Sequence, residues 1–212
     1  MDRRFPCRFA TAALFAFALA ISGPAVAVEP APVLQLSGND FPELVVLSEE
    51  LDAAGEPVSL SCDRIRNRRI DELDPLWKRA VERIHLDCQD LTEQDDGFEM
   101  AATIVTGFLK PGRVEFAGVP VAEVRMMDSE LWGDHQYLLD RPFVQIRDTI
   151  RGFIESRCRA QQETRGALLA IDCTLVETSE GLYLQADEIS GIWLHAAPDD
   201  PQRTVYAEAW SD

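Results

Sequence analysis

The chain has 212 residues, of which 37 are acidic and 20 basic, giving a formal charge of −17 at neutral pH. Such a field repels polyanions, so nucleic acid and anionic lipid are poor candidate partners, while cations, basic proteins and neutral glycans stay open. A hydrophobic content of 46% is enough to bury a core, in one domain or two small lobes.

Residues 1–27 read as a secretory signal peptide. Arg3, Arg4 and Arg8 precede an apolar run from Ala10 to Ile21, and Ala25-Val26-Ala27 supplies the small residues that a signal peptidase reads. Ser22, Gly23 and Pro24 end the run after 12 residues, short of the roughly 20 that a membrane span requires. The expected product is a periplasmic or secreted domain, 28–212, with no membrane span after cleavage. It loses three basic residues and one acidic residue with the leader and carries a formal charge of −19. Cys7 leaves with the leader as well.

Two helices are expected in the exported part. Asp74-Pro75 reads as an N-cap followed by proline in the first helical position, and Leu76, Trp77, Ala80, Val81 and Ile84 recur at helical spacing toward Cys88. His85 falls near the end of that helix, where the macrodipole favours it. The second helix is expected from Pro142 to about Arg159, with Phe143, Ile146, Ile150, Phe153 and Ile154 on one face.

Most of the remainder alternates with period two. Strands are expected at 33–36, 44–47, 58–60, 99–109, 114–116, 121–127, 137–139, 167–176, 182–186, 192–195 and 204–207. Thr178-Ser179-Glu180-Gly181 and Glu188-Ile189-Ser190-Gly191 read as hairpin turns, Asp199-Asp200-Pro201 as a further turn, and Gln89 to Gly97 as an exposed acidic loop. Leu36, Gly38, Glu43, Leu44, Glu50 and Leu51 match Phe116, Gly118, Glu123, Val124, Glu130 and Leu131 at an offset of 80. That match suggests two β-β-β-α-β units, 33–110 and 113–212. The expected fold class is α+β, an antiparallel sheet carrying two helices; a small β-barrel with flanking helices is the alternative.

Four cysteines remain after export, and an oxidising compartment predicts two disulfides. Of the three possible pairings, Cys62-Cys88 and Cys158-Cys173 each pin a predicted helix end to a predicted strand. The second closes a 15-residue loop, for which chain entropy gives about 3 kcal/mol. No C-x-x-C pair suggests zinc, and no histidine spacing places two imidazoles on one face. An EF-hand register through Gly97 fails at three of four ligand positions. No nucleophile elbow or phosphate loop is present, and no metal or cofactor is expected.

The candidate binding loop is Asp128, Glu130, Trp132, Asp134, His135 and Tyr137, a connection between strands that gathers acids and aromatics suited to a sugar ring, a cation or a basic peptide. Tyr183, Trp193, Tyr206 and Trp210 would form a stacking platform if they shared an exposed face, and core packing is their default role. The expected function is a non-catalytic exported binding protein with a protein or glycan partner in the cell envelope. One alternative is an envelope glycan or peptidoglycan-like hydrolase, with Asp128 or Glu130 working with Asp134 and His135. Another is a structural subunit of an envelope complex.

Overall fold

The computed structural model describes residues 32–37, 40–47, 62–92, 99–128, 132–165, 172–185 and 190–211. The expected leader, the expected strand at 58–60 and the turn residues Glu188 and Ile189 lie outside them, as does 93–97 of the acidic loop.

In chain order the elements are β1 (Leu34–Leu36), β2 (Val45–Leu47), β3 (Ile65–Asn67), α1 (Pro75–Ala80), β4 (Val81–Thr92), β5 (Glu99–Leu109), β6 (Val114–Phe116), β7 (Val119–Asp128), β8 (Trp132–Leu139), α2 (Phe143–Arg165), β9 (Val176–Glu177), β10 (Gly181–Gln185), β11 (Ser190–Ala197) and β12 (Asp200–Ser211). Ten strands make one sheet. Its main path runs β4-β5-β7-β8-β12-β11-β10-β9, all antiparallel. β6 pairs with the first residues of β7, and β1 joins β6 in parallel, so the sheet is mixed. Among the described residues β4 pairs only with β5 and β9 only with β10, which leaves the sheet open and corrects the barrel alternative.

The two halves are not equivalent units. β2 and β3 form a separate two-stranded sheet, whereas β7 and β8 lie mid-sheet, and α1 has 6 residues against 23 in α2. The offset of 80 does appear in one place, the parallel pairing of Leu34 with Val114 and Leu36 with Phe116.

α2 is the helix that organises the domain. Ile146, Ile150 and Ile154 are buried one turn apart, and Phe153 meets the edge of Phe116 with ring centres 5.1 Å apart. This stripe packs on the sheet face formed by Val105, Val124, Tyr137, Leu139, Tyr206, Leu194 and Leu182. The outward residues Arg147 and Arg151 reach Glu177 of β9 at 3.4 and 3.9 Å. Glu155 accepts a hydrogen bond from the Leu175 amide at 3.1 Å. α2 thus carries the chain from β8 to the far edge, from which β9 to β12 meander back to pair with β8.

The first helix is shorter than its spacing suggests. Asp74 caps it by accepting from the Leu76 amide at 2.8 Å, and Pro75 occupies its first position, but it stops at Ala80. The Ala80 carbonyl accepts from the Lys110 amide at 2.8 Å, and from Val81 the chain is zipped to β5. Ile84, Leu86 and Cys88 then turn inward while Arg83, His85, Asp87 and Gln89 face solvent, a period of two that the helical reading overlooked. His85 is therefore a strand residue and not a helix-end one, and Gln89 to Thr92 belong to a strand and not to a loop.

The structure joins Cys62 to Cys88 and Cys158 to Cys173, with Cα separations of 5.7 and 5.6 Å. Cys158 lies in a helix as expected, and the settings of the other three differ. Cys62 lies in a 3-10 turn and Cys88 in β4, while Cys158 lies in α2 and Cys173 in extended chain ahead of β9. Replacing Cys158 and Cys173 together with serine is expected to lower stability by about 3 kcal/mol, read from urea unfolding, with the far-ultraviolet spectrum unchanged in the absence of denaturant.

Candidate functional site

β7 and β8 form a hairpin in the middle of the sheet, so the residues expected in a connecting loop are largely strand residues. Asp128 pairs with Gly133, Met127 with Asp134, Met126 with His135 and Val124 with Tyr137. Because successive side chains alternate, Asp128, His135 and Tyr137 face α2, and Asp134 faces the opposite, open side. Glu130 and the side chains of Trp132 and Trp210 lie outside the described residues. The acid-base pairing of Asp134 with His135 is thus not assembled, since the two side chains leave the strand in opposite directions.

On the open side Asp134 accepts from the Gln136 amide at 2.8 Å, and Gln136 also reaches the Met127 sulfur at 3.6 Å. Burial raises the Asp134 pKa above its ordinary value, against the opposing pull of that amide. Asp128, on the inner side, is raised by burial alone.

The inner side holds a polar cluster that sequence reasoning missed. Phe41 covers both His135 and Tyr137, with ring centres 4.2 and 4.5 Å apart. Tyr137 and Tyr206, neighbours across the β8-β12 ladder, are both fully buried and stack at 5.5 Å. The Tyr206 hydroxyl donates to Glu208, two residues along the same strand face, and the Arg157 guanidinium of α2 meets the same carboxylate oxygen at 3.4 Å. The buried Tyr137 hydroxyl makes no hydrogen bond of good geometry, although the Asp40 backbone lies close enough to favour its ionised form. Burial and the Glu208 charge push both phenols above their ordinary range, burial raises Glu208, and burial lowers His135. Solvent does not reach the two phenols, and the cluster ties α2 to the sheet through Arg157 and Glu208.

The open side carries the aromatic feature. Tyr183 of β10 pairs with Trp193 of β11, and their rings stand 4.2 Å apart at 33°. Gly191 makes this possible: a Cβ there would lie 2.5 Å from the Tyr183 ring, which therefore rests flat across bare backbone. Trp193 also packs on Leu138, Ala197, Val205 and Ala207, a small apolar cluster separate from the main core. Beside it, Glu180, Trp193, His195, Ala196 and Pro198 line a shallow depression of about 400 Å3. His195 Nδ1 lies 2.8 Å from the Ala196 carbonyl. A carbonyl can only accept, so Nδ1 carries the proton and Nε2 is the acceptor of the neutral ring. Tyr206, by contrast, faces the core, so Trp193 and Tyr206 do not share a face.

Among the described residues, no set of three His, Cys, Asp or Glu side chains is placed to hold a metal ion. None of the described helices is long and apolar enough to cross a membrane. Comparison with known proteins finds no matching family model, no similar curated protein and no similar solved structure.

The coupling of Arg157 to Glu208 has a pH signature. A carboxyl whose pKa is higher folded than unfolded takes up a proton on folding, so its contribution falls as pH rises through that window. Arg157→Met removes the cation that restrains this rise. The variant is expected to lose about 1.5–3 kcal/mol at neutral pH, and the deficit should shrink on acidification, because a protonated Glu208 needs no counter-charge. Urea unfolding of both proteins in neutral and mildly acidic buffer checks this; a deficit independent of pH would remove the assigned cause.

Proposed function

We propose that the protein is an exported, non-catalytic binding protein whose partner in the cell envelope is a neutral glycan chain docked on the open face of the sheet. The observation that carries this reading is the Tyr183-Trp193 pair, held flat over Gly191 on the face that α2 does not cover. Sugar rings present apolar C–H faces, and a rigid aromatic pair receives them with little loss of side-chain freedom. Glu180 and His195 border the same depression and supply hydrogen-bonding groups for hydroxyls. A neutral ligand is also untouched by the strongly negative field of the chain. Two disulfides support export, since such bridges persist in oxidising compartments.

The hydrolase reading draws no support from this geometry. Glycoside hydrolysis needs two carboxyl groups flanking one bond, and Asp128 and Asp134 project from opposite faces of the hairpin.

Titration of the intrinsic tryptophan fluorescence with oligosaccharides of N-acetylglucosamine tests the proposal. Trp193→Ala should weaken binding about tenfold, the effect of roughly 1.4 kcal/mol, and Gly191→Ala should weaken it by displacing the Tyr183 ring. His135→Ala should bind as the unaltered protein does. Equal binding by Trp193→Ala, or cleavage of the oligosaccharide, would overturn the proposal.

A further inference from the structure

A second surface, at the opposite end of the sequence, has the reverse electrostatic character. Where β1, α1 and the β5-β6 turn meet, a cavity of about 550 Å3 is lined by Lys78, Arg79, Lys110 and Arg113 together with Leu34, Leu76 and other apolar residues. Among the described residues no acidic side chain lines it. Lys78 and Lys110 are the only two lysines of a chain carrying a net charge of −17. They lie 32 positions apart and are brought together by the backbone bond from Lys110 to the Ala80 carbonyl.

Helix capping does not account for this arrangement. The Lys110 ammonium donates to the Arg79 carbonyl at 3.1 Å and the Lys78 ammonium to the Asp71 carbonyl at 3.3 Å. Each bond satisfies one of three ammonium donors with a neutral acceptor, and among the described residues no carboxylate forms an ion pair with Lys78, Arg79 or Lys110. A helix of 6 residues has little dipole to attract four cations. Nor does capping explain the floor, where Leu76 is 57% and Val33 40% exposed, two of the five exposed large hydrophobics among the described residues. Exposed apolar surface beside Lys78, Arg79 and Lys110, none of them ion-paired to a carboxylate among the described residues, matches one ligand chemistry.

We infer that this cavity binds a small anionic amphiphile, an acyl tail seated on Leu34, Val33 and Leu76 with a carboxylate or phosphate head held by Lys78, Arg79 and Lys110. Its volume lies within the range of small-molecule sites, about 300–1,000 Å3. The local positive field also overcomes, at short range, the repulsion that the acidic surface exerts at a distance, because screening confines each to roughly 10 Å in ordinary salt. The site is independent of the Tyr183-Trp193 face.

Calorimetric titration of the purified protein with dodecanoate, dodecyl phosphate, dodecanol and inorganic phosphate tests the inference. Both anionic amphiphiles are expected to bind at least tenfold more tightly than dodecanol and than inorganic phosphate. A Lys78→Gln/Lys110→Gln double variant should lose at least tenfold for the anions while leaving dodecanol unchanged. Leu76→Glu, at an exposed position, should weaken both anions without altering the melting temperature. Arg66→Gln/Arg69→Gln, which removes two cations elsewhere, should change nothing. Sedimentation with vesicles of phosphatidylglycerol against phosphatidylcholine separates the two sources of the head group: co-sedimentation with the anionic vesicles places the ligand in a membrane, and its absence assigns a free amphiphile. Equal affinity for dodecanol and dodecanoate, binding of inorganic phosphate as tight as that of dodecyl phosphate, or full affinity in the lysine double variant would each overturn the inference.

Discussion

The packing of one helical stripe on one face of the sheet decides most of what this molecule can do. Ile146, Ile150 and Ile154 each bury a side chain worth about 1.5–3 kcal/mol against the strands from β5 to β10. Covering that face commits Val124 of β7, Tyr137 and Leu139 of β8 and Tyr206 of β12 to the interior. Among the described residues no helix covers the reverse face, where the small cluster of Leu138, Val205, Ala207 and Trp193 lies. A helix on one side and solvent on the other is the arrangement in which an antiparallel sheet can present side chains for recognition.

The polar network under α2 follows from the same packing. Arg157 lies one turn beyond Ile154, so seating the apolar stripe carries its guanidinium to Glu208. Only one axial position of the helix satisfies both the isoleucines and this ion pair. The bridge from Cys158 to Cys173 and the Glu155 contact to the Leu175 amide hold the same end of the helix to the returning chain. Burial makes the charges costly and the pairing specific, which is the usual trade in a half-buried ion pair.

How much of this was legible in the sequence depends on the range of the interactions involved. The α2 stripe is a local period and reads directly from Phe143 to Ile154. The strand 99–109 likewise reads directly, because its pattern needs no partner to be seen. Pro75 to Ile84 also satisfies a helical period, and the competing alternation from Ile84 to Cys88 wins only through pairing with β5. The faces of β8 and β12 were not legible, because a one-residue change of register inverts every side chain and register is set by strands distant in sequence. That is why Tyr206 with Glu208, and Tyr183 with Trp193, could not be sorted into core and surface beforehand. The same holds for Lys78 and Lys110, which come to line one cavity through the bond from the Lys110 amide to the Ala80 carbonyl.

The bridge between Cys62 and Cys88 has a consequence for the margin of the sheet. β4 is 12 residues long, and among the described residues its only ladder partner is β5. Long outer strands are templates for pairing with other chains. The sulfur link ties the 3-10 turn at Cys62–Arg64 and the short β3 that follows it to the middle of this strand. Outward Arg83 and Asp87 and the bulge near Val81 interrupt the edge further. Oxidation therefore fastens a short turn and strand to an outer strand that has one ladder partner among the described residues, so the bond secures the periphery of the sheet as α2 secures its centre.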